Sequence, residues 1–257
     1  MKQIPDKNIS QRMFDLTGEV AIVTGGQGVL GSNYAETLAK AGAKVAIFDL
    51  KNKMNPRLAI LINQGYPIIA FALDITKRKT VEAGVAEVVK KFGPPNILIN
   101  NAGLGAMPNA SVAESGPFEN YPEEAWDAVM DSHLKGMLIV SQAVIREMRR
   151  AKNKGSIINI SSHYGVVTPE QAIYDFRRRN GEEYYKPVGY TVAKAGVLGF
   201  TRWLAEYCGP FGIRVNSLVP GGVADPSHHP DFKREYIKRT MLGRMATPQE
   251  YNGAILF

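Results

Sequence analysis

Tyr190 and Lys194 are the two residues whose types and spacing point most directly to chemistry. On a helix, residues four apart share one face, so the phenol and the ammonium could contact a common ligand. A phenol has an ordinary pKa of about 10, and a nearby ammonium favours the phenolate and lowers that pKa. The pair is therefore a candidate acid/base for proton transfer near neutral pH. The same spacing also occurs by chance on solvated helices, so the rest of the chain has to decide.

A glycine-rich turn near the start of the chain indicates a dinucleotide. The apolar residues 20–23 are followed at once by TGGQGVLG at 24–31, and an amphipathic helix then runs to Gly42. A strand, a glycine turn and a helix form the context in which a pyrophosphate binds to helix N–H groups. A tight turn without a ligand is the alternative, which four glycines in one turn make less favoured.

Asp49 ends the second apolar run, residues 44–48, and lies about 20 residues beyond the glycines. A carboxylate at this place accepts hydrogen bonds from the ribose hydroxyls of NAD and repels the 2′-phosphate of NADP. Lys51 and Lys53 follow closely and could soften that preference, so NADP stays possible. The alternative for Asp49 is a loop carboxylate without a ligand.

The order of apolar runs and helical patterns predicts the fold class: α/β, a three-layer, doubly wound parallel sheet in a single domain. After a polar lead-in, residues 1–17, the domain is expected over 18–257. The ligand crevice of such a sheet lies at the carboxyl ends of its strands, where the glycine turn, Asp49, Asp74 and Asn101 fall. A helical pattern reaches Phe257 without a cap, which predicts that the C-terminal end is incomplete. The predicted strands are 20–23, 44–48, 68–72, 97–99, 156–160 and 213–219.

Other stretches carry weaker signals. The loop 104–120 is long enough to suggest a function. One long helix is predicted over about 122–149, with His133 on its apolar face, where a core histidine is more common than a catalytic one. Ser161 and Ser162 stand at the end of the fifth strand. The polar insertion 166–187 separates them from Tyr190 and is predicted to be a substrate-side lid. Its alternatives are a solvated excursion and an oligomer contact.

Composition limits the classes of function. The formal net charge of +7 fits an anionic ligand such as a dinucleotide or a sugar phosphate, and also nucleic acid. The Lys and Arg residues are scattered, with one tight run at 177–179, which argues against nucleic acid. The single cysteine, Cys208, excludes an intrachain disulfide and is expected to pack as a small hydrophobe. No apolar run spans a membrane, no signal sequence is seen and the four histidines show no metal-ligand spacing, so a cytoplasmic, metal-free protein is predicted.

Five motifs occur together in an order that resembles the short-chain dehydrogenase/reductase family. They are TGGQGVLG at 24–31, NNAG at 100–103, NISS at 159–162, YTVAK at 190–194 and PGGV at 220–223. The resemblance covers nearly the whole chain from Val20. It implies a Rossmann-type subunit that uses NAD or NADP to interconvert an alcohol and a ketone, commonly as a homotetramer or homodimer.

The resemblance also implies roles for single residues. Tyr190 would exchange a proton with the substrate oxygen, Lys194 would hold the nicotinamide ribose and lower the pKa of Tyr190, and Ser162 would orient the carbonyl. Asn101 would support the cofactor cleft, while Asp74 and Ile75 match the adenine contact. The implied cofactor-binding residues are Thr24, Gly25, Gln27, Val29, Leu30, Asp49, Asp74, Ile75, Asn101, Ala102, Gly103, Tyr190, Lys194, Pro220, Gly221 and Val223.

Two positions depart from the family pattern. Val29 stands where the family usually has a second glycine, and His133 falls where an asparagine completes the catalytic set. A histidine could still bind a water in a proton relay. The insertion, with VVTPEQAIYDF, resembles dehydrogenases of bacterial sugar pathways, including those for sialic-acid-like sugars. It implies a polyhydroxylated or anionic sugar, which Arg177–Arg179 could meet through a phosphate or carboxylate.

The leading hypothesis is an oxidoreductase that transfers a hydride between NAD(H) and the secondary alcohol or ketone of a sugar, sugar acid or sugar derivative. A non-catalytic dinucleotide-sensing protein on the same fold is the alternative, because fold alone does not give function. A nucleic-acid binder is a third and less favoured reading.

Overall fold

Six parallel strands form the centre of the molecule. The computed structural model describes residues 13–104 and 112–257. In this part of the chain the strand order is β3-β2-β1-β4-β5-β6, with a crossover from one half of the sheet to the other between β1 and β4. The predicted doubly wound sheet is confirmed. The strands are β1 (Val20–Thr24), β2 (Lys44–Asp49), β3 (Ile68–Ala72), β4 (Ile97–Asn100), β5 (Gly155–Ile160) and β6 (Ile213–Leu218).

Helices cover both faces of this sheet. The longer ones alternate with the strands, which is the pattern that produces right-handed crossovers and a parallel sheet. The helices are α1 (Val29–Lys40), α2 (Pro56–Asn63), α3 (Arg78–Phe92), α4 (Val112–Ser115), α5 (Glu123–Met130), α6 (Gly136–Arg150), α7 (Asp175–Arg179), α8 (Val188–Cys208), α9 (Pro230–Ile237) and α10 (Asn252–Leu256).

Two apolar cores lie on opposite faces of the sheet. Helices α3, α6 and α8 pack against one face, and α1, α2 and α10 pack against the other. Strands β1 and β4 are buried along their whole length, which is why they read as continuous apolar runs and not as alternating ones. Cys208 is fully buried in the first core, as predicted for a small hydrophobe.

The parallel register brings the carboxyl ends of the central strands to one edge of the sheet. Thr24 of β1 pairs with Phe48 of β2, and Asn100 of β4 pairs with Asn159 of β5. A buried amide ladder fixes the second pair, because Asn100 Nδ2 donates to Asn159 Oδ1 over 2.9 Å. The turns that follow these strands therefore surround one crevice.

The helix predicted over 122–149 is interrupted by a π-helical turn, Asp131–Lys135, between α5 and α6. A π turn inserts one extra residue and re-aims the side chains around it, and such turns are frequent at functional sites. His133 lies in the middle of this turn and is 2% exposed. The apolar periodicity runs across the interruption, so it did not reveal the turn.

The predicted insertion, residues 166–187, contains a 3₁₀ turn, Gln171–Tyr174, and helix α7. Its apolar side chains form a third, smaller core with α9 and the segment beyond it, through residues that include Tyr174, Tyr184 and Tyr236. The insertion is therefore anchored against the body of the protein.

Two predicted segments lie partly outside the described residues. Of the lead-in 1–17, residues 1–12 are outside, while Leu16 N donates to the carbonyl of Ala41 over 2.7 Å. Of the predicted functional loop 104–120, residues 105–111 are outside.

Candidate active site

Ser162 and Tyr190 meet at the carboxyl edge of the sheet. Ser162 follows β5 and is 5% exposed, and Tyr190 lies in the first turn of α8. Both side chains line the central cleft, and the Ser162 hydroxyl lies near enough to the Tyr190 phenol to lower its pKa. Although 28 positions separate them in the sequence, the geometry brings together the hydroxyl and the phenol that were predicted to act on one substrate atom.

Lys194 lies one helical turn beyond Tyr190 and is 6% exposed. Its Nζ donates to the carbonyl oxygen of Ile160 over 2.8 Å and lies 5.7 Å from the centroid of the Tyr190 ring. Burial lowers the pKa of the Lys194 ammonium to about 8. In addition, Ser161 Oγ donates to the carbonyl of Lys194 over 2.7 Å, which ties α8 to the end of β5.

The pKa of Tyr190 differs from the expectation. Burial raises the pKa of this phenol, and the Ser162 hydroxyl opposes that effect only in part. The lowering expected from Lys194 does not offset the effect of burial. An environment that excludes water favours the neutral phenol, which is the form that donates a proton.

His133 is both a core residue and a lining residue of the site. Its ring packs edge-on against Tyr190 with a centroid distance of 5.7 Å. Nε2 lies 2.8 Å from the carbonyl of Leu104, so Nε2 carries the proton and Nδ1 is an acceptor. Burial and the charge of Lys194 lower the pKa of His133 to about 3, which keeps it neutral. A side chain at Gly103 would overlap this ring, so that glycine is required by close approach.

The buried hydroxyl of Thr24 supports the glycine turn after β1. Thr24 Oγ1 accepts hydrogen bonds from the N–H groups of Asn101 and Ala102, each over 3.0 Å, so this buried hydroxyl joins β1 to the turn after β4. Gly25 adopts φ +64°, and a Cβ there would lie 2.9 Å from Ala102 Cα. Gly28 caps α1 without a side-chain hydrogen bond, so the first-turn N–H groups of α1 are not capped by a side chain.

Asp49 organises the outer part of this turn. Its Oδ2 accepts from Gln27 N over 2.9 Å, and its Oδ1 accepts from Lys51 N over 3.0 Å. The buried side chain of Gln27 accepts from Asn55 N over 2.7 Å through Oε1, which fixes the start of α2. Gln27 is thus anchored into the protein, with its backbone beside the turn.

The remaining predicted cofactor residues lie around the same edge. Asp74 Oδ1 accepts from Thr76 N over 2.8 Å, and the neighbouring Ile75 is buried against the π turn. Asn101 Nδ2 donates to Thr24 O over 3.0 Å. An uncapped helix start, close-approach glycines and a carboxylate at the end of β2 together fit a dinucleotide. Residues of the predicted set that line the central cleft are Leu30, Asn101, Gly103, Tyr190, Lys194, Pro220, Gly221 and Val223. Val29, 52% exposed, lines an adjoining cavity.

The central cleft has a volume of about 340 Å³ and is lined by Ser162, Tyr190 and Lys194. The sequence did not predict many of the other residues that line this cleft. These residues come from the turn after β5, from the insertion and from the segment after β6, which show no simple periodicity. Lys186 carried one usable signal, since it precedes Tyr190 by the same four positions by which Lys194 follows it. The missed lining residues include His163, Tyr164, Tyr174, Lys186, His228, Phe232, Tyr236 and Met245.

The arginine run 177–179, which was predicted to meet a phosphate or carboxylate, has ion-pair partners within the insertion. Arg178 is occupied inside the insertion, where it pairs with Asp175 and donates to the carbonyls of Tyr184 and Gln171. Arg177 pairs with Glu182 over 2.6 Å. These bonds hold α7 in place, so the guanidinium groups of Arg177 and Arg178 already have partners.

Comparison with known proteins agrees with this geometry. A family model described as enoyl-(acyl carrier protein) reductase matches residues 27–257. The crystal structure of a short chain dehydrogenase from Leptospira borgpetersenii, with bound NAD+, superposes with a TM-score of 0.83 at 29% identity, over 100% of this chain and 90% of that one. The chain belongs to the short-chain dehydrogenase/reductase family.

Curated members of this family are similar along most of their length. A 3-alpha-(or 20-beta)-hydroxysteroid dehydrogenase from Mycobacterium bovis is 32% identical over 94% of this chain and 82% of its own. An NAD-dependent glycerol dehydrogenase from Listeria innocua is 32% identical over 80% of this chain and 71% of its own. A steroid and a small polyol share little chemistry beyond a hydroxyl group, so the names of these relatives do not decide the substrate of this short-chain dehydrogenase/reductase.

Among residues 13–104 and 112–257, no helix combines the length and the apolar character needed to cross a membrane. The same residues contain no cluster of three or more His, Cys, Asp or Glu side chains placed to hold a metal ion.

Proposed function

We propose that this protein transfers a hydride between NAD(H) and the secondary alcohol or ketone of a small molecule, with Tyr190 as the general acid/base. The observation that carries the proposal is that Ser162, Tyr190 and Lys194 line one cleft, with the buried Lys194 ammonium 5.7 Å from the centroid of the Tyr190 ring. The two hydroxyls converge on one point, where a substrate oxygen could contact both of them. Such convergence is what proton transfer coupled to hydride transfer requires.

The dinucleotide is held by the residues that surround the glycine turn. The first-turn N–H groups of α1 bind the pyrophosphate, Asp49 binds the ribose next to the adenine, and Lys194 binds the ribose of the nicotinamide. A nicotinamide bound beside Tyr190 supplies the hydride acceptor in one direction and the hydride donor in the other. The carboxylate of Asp49 favours NAD over NADP, in line with the NAD-dependent glycerol dehydrogenase among the relatives.

Side chains of the cleft donate and relay the proton. In reduction, the neutral phenol of Tyr190 donates its proton to the substrate oxygen, while Ser162 donates a hydrogen bond that orients that oxygen. The phenolate that remains is stabilised by the positive charge of Lys194. Nδ1 of His133, which has no hydrogen-bond partner among the described residues, accepts from a water that relays a proton towards Tyr190.

The substrate we propose is a sugar, a sugar acid or a related polyhydroxylated compound. The cleft wall opposite the cofactor side carries several hydroxyl and imidazole groups, including those of His163, Tyr236 and His228. Polar groups of this kind orient a ligand that has several hydroxyls of its own.

The experiment is a spectroscopic assay of reduced nicotinamide with NAD⁺ or NADP⁺ and a panel of polyols, aldoses, sugar acids and sugar phosphates. The wild type is expected to reduce NAD⁺ with at least one member. Ser162→Ala is expected to lower kcat by about 10²-fold while NADH binding stays unchanged. Ser156→Ala, at the opposite end of β5, is the matched control. Dinucleotide binding without turnover of any compound would instead favour a sensing protein.

We further propose that the subunits form a homodimer or homotetramer. Trp203, Tyr207 and Phe211 form an exposed aromatic strip along the end of α8, in which Trp203 is 64% exposed and stacks on Tyr207. A second copy of this chain would cover such a strip. Light scattering is expected to give the mass of two or four chains, and Trp203→Glu is expected to lower it; a monomeric wild type would contradict the idea.

A further inference from the structure

Lys186 is a second lysine in the cleft and, like Lys194, lies near the ring of Tyr190. Its Nζ lies 4.7 Å from the centroid of the Tyr190 ring. The backbone holds it there, because Lys186 N donates to Gln171 Oε1 over 2.8 Å and Tyr185 N donates to Ser115 O over 2.6 Å. The mechanism above uses Lys194 and leaves Lys186 without a role.

Lys186 lines the central cleft and also a neighbouring cavity to which Glu114 and Glu119 contribute. Among the described residues, no aspartate or glutamate lines the central cleft. Burial lowers the pKa of Lys186 to about 8, and no acidic neighbour opposes this effect. The ammonium thus stays charged at neutral pH in a partly dehydrated place, which is costly unless an anion joins it.

Two histidines face the same space and are neutral. Burial lowers the pKa of His228 and that of His163, and the charge of Lys186 lowers both further. At His228 the carboxylate of Asp225 acts in the opposite direction without cancelling the effect of burial. His163 is engaged by the carbonyl of Pro220 and by Tyr236. His228 Nδ1, by contrast, is buried without a hydrogen-bond partner among the described residues. A neutral imidazole can donate to an anion from one ring nitrogen.

The cavity continues from this point towards α7. A second cavity of about 350 Å³ shares Tyr174, Lys186, His228 and Phe232 with the central cleft. Its far end holds Arg177, which Glu182 already neutralises. The unmatched positive charge is therefore concentrated at Lys186, next to the reacting groups.

We propose that Lys186, assisted by His228, binds an anionic oxygen group of the substrate, so that the substrate is a hydroxy or oxo acid. This inference rests on the proposed function, since it takes the cleft beside Tyr190 as the substrate site. A lysine this close to the Tyr190 ring places the anionic group within a few bonds of the carbon that exchanges the hydride. A carboxylate and a phosphate ester share this chemistry, and the test separates them.

The test measures binding, without turnover, to the complex of the protein with NADH. A reduced cofactor cannot accept a hydride from an alcohol, so hydroxy compounds form dead-end complexes that calorimetry can titrate. The probes are matched pairs, glycerate against glycerol and gluconate against glucitol, with glycerol 3-phosphate as the phosphate probe. The acid of at least one pair is expected to bind about tenfold to hundredfold more tightly than its neutral partner.

Lys186→Met is expected to remove this preference, and Lys186→Arg to keep most of it. Lys79→Met, an exposed lysine on α3, is the matched control and is expected to keep it fully. Polyols that bind as tightly as the acids, a preference that survives Lys186→Met, or the absence of binding by every anionic probe would overturn the assignment of Lys186. Failure of NADH itself to bind would instead count against the proposed function.

Discussion

The two sides of the cleft are built from different groups. On the side of β1 and β2, backbone N–H groups, glycines and the carboxylate of Asp49 form the surface, and hydrogen bonds within the protein already fix most side chains. On the side of the insertion and α9, the surface consists of aromatic, imidazole and ammonium groups. Among the described residues of the cleft, Lys186 has no acidic partner and Nδ1 of His228 has no hydrogen-bond partner. The first side suits a ligand that is bound mainly by backbone groups, and the second side suits a ligand that is recognised by its charge.

Tyr190 lies where the two sides meet. The Nζ atom of Lys194 lies 5.7 Å from the centroid of the Tyr190 ring, and that of Lys186 lies 4.7 Å from it. The two lysines have the same chemistry and similarly lowered pKa values, of about 8. Only their positions distinguish their proposed functions. Replacing each lysine in turn by methionine is therefore the strongest test of the division of the cleft into two sides.

Lys194→Met is expected to have the largest effect. We expect kcat to fall by about 10²- to 10⁴-fold, because the phenolate of Tyr190 loses its stabilising charge. The dissociation constant of NADH should rise as well, since we propose that Lys194 holds the ribose. Fluorescence titration with NADH and initial-rate assays measure the two effects. Lys186→Met is the matched variant and should leave NADH binding unchanged; equal losses of NADH affinity in both variants would refute the division between the two sides.

Gly31→Ala is expected to damage the cofactor side alone. A Cβ at Gly31 would overlap the carbonyl of Gly25 and lie 2.8 Å from Asn101 Nδ2. Such overpacking costs about 1–3 kcal/mol of folding stability, so we expect a lower melting temperature. We also expect weaker NADH binding, because the displaced turn no longer presents its N–H groups to the pyrophosphate. Gly253→Ala, where a Cβ meets nothing within 4 Å, is the control. An alanine variant at position 31 with normal NADH affinity would show that the turn is not the pyrophosphate site.

The pH dependence of anion binding should report on Lys186. Its pKa is lowered to about 8, so the folded protein loses this charge as pH rises through that value. The pKa values of His163 and His228 are lowered and that of Tyr190 is raised, so these groups are neutral in this range. Above pH of about 8, the affinity for gluconate should fall by up to about tenfold per pH unit.

Lys194 titrates in the same range, so Lys186→Arg provides the control for this pH profile. A guanidinium stays charged at alkaline pH. The arginine variant should therefore keep its affinity for gluconate above pH of about 8, and a profile identical to that of the wild type would assign the titration to another group.

Asp49→Ser is expected to produce the smallest effect, a several-fold shift of preference from NAD towards NADP. The shift is limited because both oxygens of the carboxylate already accept backbone hydrogen bonds, from Gln27 and Lys51. Dissociation constants for NADH and NADPH on one protein sample provide an internal control. An unchanged ratio would mean that Asp49 supports the turn without contacting the ribose.

Much of the cofactor side could be predicted from the sequence. The central strands are short apolar runs that end at glycine or asparagine, and the parallel sheet places those ends together. The predicted meeting of Ser162 and Tyr190 followed from the family motifs, and the structure places both side chains in the wall of the central cleft. These features depend on local patterns and on a topology with few alternatives.

The substrate side was harder to predict because its positions depend on tertiary packing. Lys186 is held at the cleft by hydrogen bonds that the N–H groups of residues 185 and 186 donate to Ser115 and Gln171. No periodicity in the sequence predicts these bonds. The arginine run was predicted to meet an anion of the substrate. In the structure Arg177 pairs with Glu182 and Arg178 pairs with Asp175. The direction of the pKa shift of Tyr190 also depends on burial, which a sequence does not specify.

The most direct test of the central claim, that Tyr190 exchanges the proton, compares Tyr190→Phe with the wild type in two assays on the same samples. The substrate is the alcohol that the wild type oxidises fastest. Phenylalanine keeps the ring between Lys186 and Lys194 and removes only the hydroxyl. We expect kcat to fall by about 10²- to 10⁴-fold while the dissociation constant of NADH changes by less than about threefold. A phenylalanine variant that keeps the turnover of the wild type would contradict the account.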